Sequence, residues 1–184
     1  MVKLQQLVEG LTTLPDDEFT CDNVYAFLGK HPIDVASIEP YMFWSPDFYT
    51  RNLVHKDERF ELMVICWEKG MESRVHDHAG QRCWMMVPVG RLRGQNFAVA
   101  EMDTERSYCR LVETDTFELS DCLAAKVELE EPIHQVLNLA EFDERAVSIH
   151  IYSRPFDSCV SYCRDTDTFK SVPLNYHSIA GKLC

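Results

Sequence analysis

From about Phe60 onward the chain breaks into short strand-like runs, and that succession limits the fold more than any other feature. Phe60 to Trp67 is an apolar-rich run without helical punctuation. Further runs follow at Cys83 to Val89, Gln95 to Val99, Cys109 to Val112, Leu123 to Leu129, His134 to Leu139 and Ala146 to Tyr152. Glycines and charged turns separate several of them. Many short strands at regular spacing predict a mainly β sandwich or small barrel. The beginning of the chain reads differently. Leu4, Leu7, Val8 and Leu11 fall at helical spacing. Val24, Phe27 and Leu28 suggest a second short helix that stops near Gly29 and Pro32, and a third is expected around Val35 to Tyr41. With 184 residues, the expectation is one domain. Its residues 1–45 are mostly helical and pack outside, and 46–184 form a jelly-roll-like β-barrel with a C-terminal extension. The tail after Asp157 is mixed and is expected to wrap the barrel.

The formal net charge of −12 argues against nucleic acid and anionic membrane surfaces as partners, since both reward basic patches. The acids are dispersed, as in Asp16, Asp17 and Glu18 or Glu128, Glu130 and Glu131, so the acidity reads as solubility. No segment approaches the roughly 18 consecutive apolar residues of a membrane helix. Met1 to Gly10 lacks a basic start followed by an apolar run, so no secretory signal is read there. The eight cysteines are therefore expected to be reduced thiols in the cytoplasm. None forms a CxxC pair, which leaves zinc-ribbon and thioredoxin-type motifs unsupported. Met85 and Met86, beside Trp84, read as core, and His31 and His55 as solvent-facing.

Three histidines form a suggestive arrangement. His76 and His78 make an HxH pair, and residues two apart on a strand share a face, so both imidazoles can reach one metal. His134 opens another strand and is the candidate third ligand. Alone, an HxH pair is weak, because histidine is also a common polar surface residue. Gly70, six positions before His76, and Gly90, twelve after His78, frame a strand–turn–strand unit around it. The run Ala146 to Tyr152 alternates cleanly. Val147, Ile149 and Ile151 face one way, and Ser148, His150 and Tyr152 the other. A buried Ser–His–Tyr row must hydrogen-bond, because each unpaired group costs roughly 1–3 kcal/mol. Such a row is either a relay aimed at a cavity, a satisfied core network, or a face that meets water.

At these residues the sequence resembles the cysteine dioxygenase family of thiol dioxygenases, within the cupin superfamily. The resemblance runs from about Phe48 to the C-terminal region. It is strongest in Phe48 to Val54, Val64 to Trp67, Gly70 through Cys83 to Gly90, and Ala146 through Asp157. Gly70, His76, His78 and Gly90 fit the first cupin motif, with Cys83 where a glutamate is usual. The resemblance implies a cupin barrel with iron, Fe(II), held by His76, His78 and His134. It implies Arg51 as binder of the substrate carboxylate and Tyr152 beside substrate and O2, with His150 and Ser148 behind it. It also implies a thioether between Cys83 and Tyr152. Tyr49, Trp67, Cys159 and His177 fall at pocket or supporting positions. Two stretches depart from the pattern. Glu130-Glu131-Pro132-Ile133 replaces a glycine-bearing turn before His134, although Asn138 of that motif is present. Ser153-Arg154-Pro155 stands where close relatives have Ser-Pro-Pro with the first proline cis. A non-proline cis bond costs about 2.5–4 kcal/mol, so a trans Ser153–Arg154 bond is expected, with Arg154 able to approach the substrate.

The chemistry suits the residues. Three neutral imidazoles leave a dipositive charge undiminished, whereas the common ferrous site carries two histidines and a carboxylate. A thiolate substrate supplies the missing negative charge, and coordination lowers its pKa. The planar fork of Arg51 suits a carboxylate, though most arginines are simply exposed. The activity implied is oxidation of the thiol of free L-cysteine by O2 to cysteine sulfinic acid, by a cytoplasmic monomer in cysteine catabolism. Rival readings are a dioxygenase of 3-mercaptopropionate or cysteamine, a non-catalytic metal-binding cupin, and a zinc hydrolase. Arg51 favours cysteine among the thiols, and the zinc reading gives no reason for Cys83 and Tyr152.

Overall fold

The computed structural model describes residues 1–127 and 132–184. The chain opens with two helices, α1 (Leu4–Thr13) and α2 (Cys21–Lys30). In α1 the expected stripe Leu4, Leu7, Val8 and Leu11 is buried. Thr20 caps α2 by accepting the Asn23 N–H, and Asp22 and Lys30 sit at the ends that the helix dipole favours. The expected third helix is instead two single 3-10 turns, Val35–Ser37 and Glu39–Tyr41. Pro40 lies in the second turn, and a proline there removes the amide a continuous helix needs.

The strands follow. β1 (Thr50–Lys56), β2 (Phe60–Trp67), β3 (Val75–His76) and β4 (Cys83–Val89) come first. Next are β5 (Leu92–Asp103), β6 (Tyr108–Leu119), β7 (Ala124–Val127) and β8 (Ile133–Leu137). The rest are β9 (Ala146–Ser153), β10 (Ser158–Cys163), β11 (Thr168–Pro173), β12 (Ser178–Ile179) and β13 (Lys182–Leu183). One sheet has the order β13-β12-β1-β2-β9-β4-β7, and the other closes on itself as β10-β11-β6-β5-β8-β3. The mainly β barrel with helices outside is therefore as expected. The tail after Asp157 does more than wrap it, because β10 and β11 are staves of the closed ring. Part of the expected Leu123–Leu129 strand, and with it Glu128, Glu130 and Glu131, lies outside the described residues.

The seven-stranded sheet has two unlike faces. Its outer face carries Phe60, Leu62, Val64, Trp84, Met86, Val147, Ile149 and Ile151, buried against the stripes of both helices. Its inner face carries Met63, Ile65, Trp67, Cys83, Met85 and Tyr152, which pack toward Leu92, Leu119 and Val136 of the ring. Both methionines are core, as expected. Every residue of β2 is buried, which is why it reads as a continuous apolar run rather than an alternating one. No helix among the described residues is long and apolar enough to cross a membrane.

Candidate metal centre and cavity

The three histidines converge between the ring and the sheet. His76 and His134 are directly paired across β3 and β8, and Ser161 of β10 flanks His76 on its other side. His78 lies beyond the end of β3, so the strand pleat accounts for only half of the HxH pair. Asp77 does the rest. Its carboxylate accepts the backbone N–H groups of Val160 (2.9 Å) and Ala79 (3.2 Å), which folds His78 back beside His76. The ring centroids stand 4.7–5.3 Å apart. One nitrogen from each ring lies within 4.8 Å of the others.

The hydrogen bonding of these rings fits a metal. His76 Nδ1 donates to the Arg74 carbonyl at 2.8 Å, which fixes the tautomer and leaves Nε2 with its lone pair. Both nitrogens of His78 and Nε2 of His134 are buried without a hydrogen-bond partner. Buried polar groups are rarely left so, since each costs roughly 1–3 kcal/mol. Burial holds all three imidazoles below their ordinary pKa, and for His78 and His134 their neighbours' charge adds to it. The lone pairs are therefore available to an ion at neutral pH.

His76 and His78 open onto a cavity of about 620 Å³. Tyr49, Arg51, Trp67, His150, Tyr152 and Cys159 also line it. Tyr49 stacks on Trp67, ring centroids 4.6 Å apart. Trp67 Nε1 donates to Ser148 Oγ at 2.9 Å. Ser148 Oγ is 3.0 Å from His150 Nε2, and His150 Nδ1 is 3.1 Å from the Tyr152 hydroxyl. The arrangement that uses every donor has Ser148 donating to Nε2 and Nδ1–H donating to the phenol oxygen. The Tyr152 proton then remains for the cavity or for Cys83. The polar face of β9 is thus a satisfied relay against the cavity rather than a solvent face. Desolvation pulls His150 down to about 3, so it is neutral. Tyr152 stands opposite Cys83 across β9 and β4. Burial pushes both the phenol and the thiol up, and a hydrogen bond from Tyr152 offsets part of the thiol's shift.

Arg51 has no ion-pair partner among the described residues. Its Nη1 donates to the Asn175 carbonyl at 3.4 Å, and its guanidinium lies over the Tyr176 ring, 5.5 Å from the centroid. His177 donates its N–H to the Arg51 carbonyl and meets Phe48 edge-on. The two framing glycines have left-handed φ values, +79° at Gly70 and +68° at Gly90. A Cβ on Gly90 would stand 2.3 Å from the Arg145 carbonyl oxygen, so no other residue fits. Asn138 ties the region together by donating to the carbonyls of Trp67, Glu68 and Glu144.

Some expectations change. No peptide bond is cis among the described residues, as anticipated for Ser153–Arg154. Arg154 is exposed, has φ +66° and is not among the residues that line the cavity. His31 and His55 are half-buried rather than solvent-facing. His31 bonds the Phe27 carbonyl, and His55 pairs with Asp57. The sequence reading also passed over Glu61, a fully buried carboxyl on the inner face. The signal was present, as a lone acid inside the apolar run Phe60–Trp67. Desolvation raises its pKa.

Comparison with known proteins adds a family. The sequence profile described as Cysteine dioxygenase type I matches residues 2–165. The human protein named Cysteine dioxygenase type 1 is 30% identical over 179 residues, covering 97% of this chain and 84% of that one. The rat protein of the same name is 29% identical over 170 residues, covering 90% and 80%. Among solved structures, a cupin superfamily protein from Desulfitobacterium hafniense aligns with TM-score 0.47 and 11% identity, over 68% of this chain and 93% of that one. The barrel itself is read from the strand order given above.

Proposed function

Since the chain belongs to the cysteine dioxygenase type I family, we propose that it is an iron-dependent dioxygenase that oxidises the thiol of free L-cysteine with O2 to cysteine sulfinic acid. One observation carries the reading. The ligand cluster consists of three neutral imidazoles, two of them buried with unpartnered nitrogens, and no carboxylate, and the cavity beside it is lined by Arg51, which has no ion pair among the described residues. A ferrous ion bound by His76, His78 and His134 would supply O2 activation and favour the thiolate form of the substrate. The chain's own residues do the rest. Arg51 offers its fork to the substrate carboxylate, a bidentate bond that fixes the thiol's position. Tyr49, stacked on Trp67, walls the cavity beside it. Tyr152 presents its phenol proton to the reacting oxygen, while His150 and Ser148 keep the ring aimed. Cys83 stands where a thioether to Tyr152 forms. That bond replaces an S–H and a ring C–H, and the two electrons released pass to O2. We read the enzyme as a cytoplasmic monomer.

Oxygen uptake by the iron-loaded protein with L-cysteine, 3-mercaptopropionate and cysteamine, with products identified by NMR, tests the reading. Stoichiometric cysteine sulfinate is the expected result. Preference for 3-mercaptopropionate, whose carboxylate also suits Arg51, keeps the chemistry and changes the substrate. Bound metal with no uptake from any thiol leaves a non-catalytic metal-binding protein.

A further inference from the structure

Glu61 is the one buried carboxyl on the cavity side of the sheet among the described residues. Its neighbours across the ladder are Lys56 of β1 and Tyr152 of β9. Its Oε2 accepts the Tyr176 hydroxyl at 2.5 Å, and its Oε1 has no partner. The same hydroxyl receives Lys56 Nζ at 3.2 Å, and Lys56 in turn pairs with Asp157 at 3.4 Å. Burying an acid is costly, and an apolar residue would pack there at no such cost. What the arrangement achieves is to fix one ring. Tyr176 belongs to the segment Pro173 to His177, which lines a neighbouring pocket that shares Arg51, Tyr49 and Leu174 with the metal cavity and has no regular secondary structure from Leu174 to His177 to hold it. Its ring lies under the Arg51 guanidinium, and the adjacent Asn175 carbonyl accepts from Arg51. Among the described residues Arg51 has no other hydrogen bond or ion pair from its guanidinium, so its direction depends on that segment.

We propose that Tyr176, moored by its hydroxyl to the buried Glu61, is a positioning residue that holds Arg51 toward the cavity and so sets the preference for thiols that carry a carboxylate. The inference rests on the reading of Arg51 as the carboxylate clamp. A guanidinium free to swing loses the bidentate geometry, and with it most of the gain over a single charge contact. Thiols without a carboxylate do not use the clamp and are blind to its aim.

The test compares Tyr176→Phe and the double variant Tyr176→Phe/Glu61→Gln with the wild-type iron-loaded protein. The double variant removes the buried charge that the single one strands, and it decides the matter if the single variant does not fold. Steady-state KM and kcat are measured with L-cysteine and with cysteamine. Binding of each thiol is measured by calorimetry under argon. The expected result is a fall of about tenfold in the cysteine-to-cysteamine ratio of kcat/KM, carried by KM, with matching weakening of L-cysteine binding. An unchanged ratio overturns the inference, whatever the effect on stability. Arg51→Ala is run in parallel. If it too leaves the ratio unchanged, the clamp reading has failed. If it collapses the ratio while the Tyr176 variants do not, only the present inference has failed.

Discussion

Strand β9 serves two interiors of opposite kind. Val147, Ile149 and Ile151 enter the core under the helices, while Ser148, His150 and Tyr152, one residue out of step, face the cavity. Both sides are almost fully buried. The first is held by contact area, which is non-directional and forgiving of rearrangement. The second is held by hydrogen bonds of fixed direction, and it keeps imidazole nitrogens without protein partners nearby. One side is built to be stable, and the other holds groups that only a bound ion and substrate complete. Substitutions on the two sides should therefore fail differently, one by unfolding and the other by losing ligand or rate.

The largest separation is expected at the ligands. His134→Ala should weaken metal binding by more than about a hundredfold, measured by competition with a chromophoric chelator. Retained affinity would mean that the unpartnered nitrogens are not a metal site. On the opposite face, Ile149→Ala should cost about 2–5 kcal/mol in urea unfolding while activity per folded molecule stays near wild type. A proportionate loss of rate would erase the distinction between the sides.

Acid gives a third contrast, smaller in size. His150 is pulled by burial to about 3 from the ordinary 6.5. Between those values the unfolded chain takes up a proton that the folded one refuses. Stability is thus complete above pH 6.5 and declines as pH falls toward 3, by up to about 1.4 kcal/mol per unit for this one group. The metal-free protein should lose about 2 kcal/mol at pH 5 from His150, and His150→Gln should flatten the slope accordingly. Equal slopes in the two proteins would place the acid-sensitive group elsewhere. The smallest effect is expected from Tyr152→Phe. It should lower kcat about tenfold while shifting unfolding by about 1 kcal/mol, the worth of one hydrogen bond.

How much of this was legible depended on how each element is buried. β2 and β4 were readable to the residue, because continuous apolar runs have sharp ends, and β9 to within one, because its alternation is clean. The hairpin of β5 and β6 was seen only in fragments. Its strands run to twelve residues each and are exposed over much of their length, with exposed apolar residues such as Val99 and Val112 interleaved among charged ones, so hydropathy marks only parts of them. β3 is two residues long, and β10 and β11 alternate weakly, so the tail gave no strand pattern. The histidines were legible by residue type and by resemblance, but the loop that turns His78 inward depends on Asp77 reaching β10, a contact far along the chain. Glu61 and Tyr176 went unnoticed because their meaning lies in a bond between residues more than a hundred positions apart.

The shortness of β3 has a consequence for how the enzyme is made. The strand that carries His76 has only later strands for neighbours, β8 on one side and β10 on the other. During synthesis, at roughly 5–20 residues per second, the HxH pair leaves the ribosome seconds before either of them exists. Until then neither of the strands that flank His76 is there to hold it. The third imidazole arrives with β8, but the ring closes only once β10 and β11 have followed. A chain cut within β10 would carry all three histidines yet lack the staves that close the ring and the two strands that finish the sheet edge beside β1.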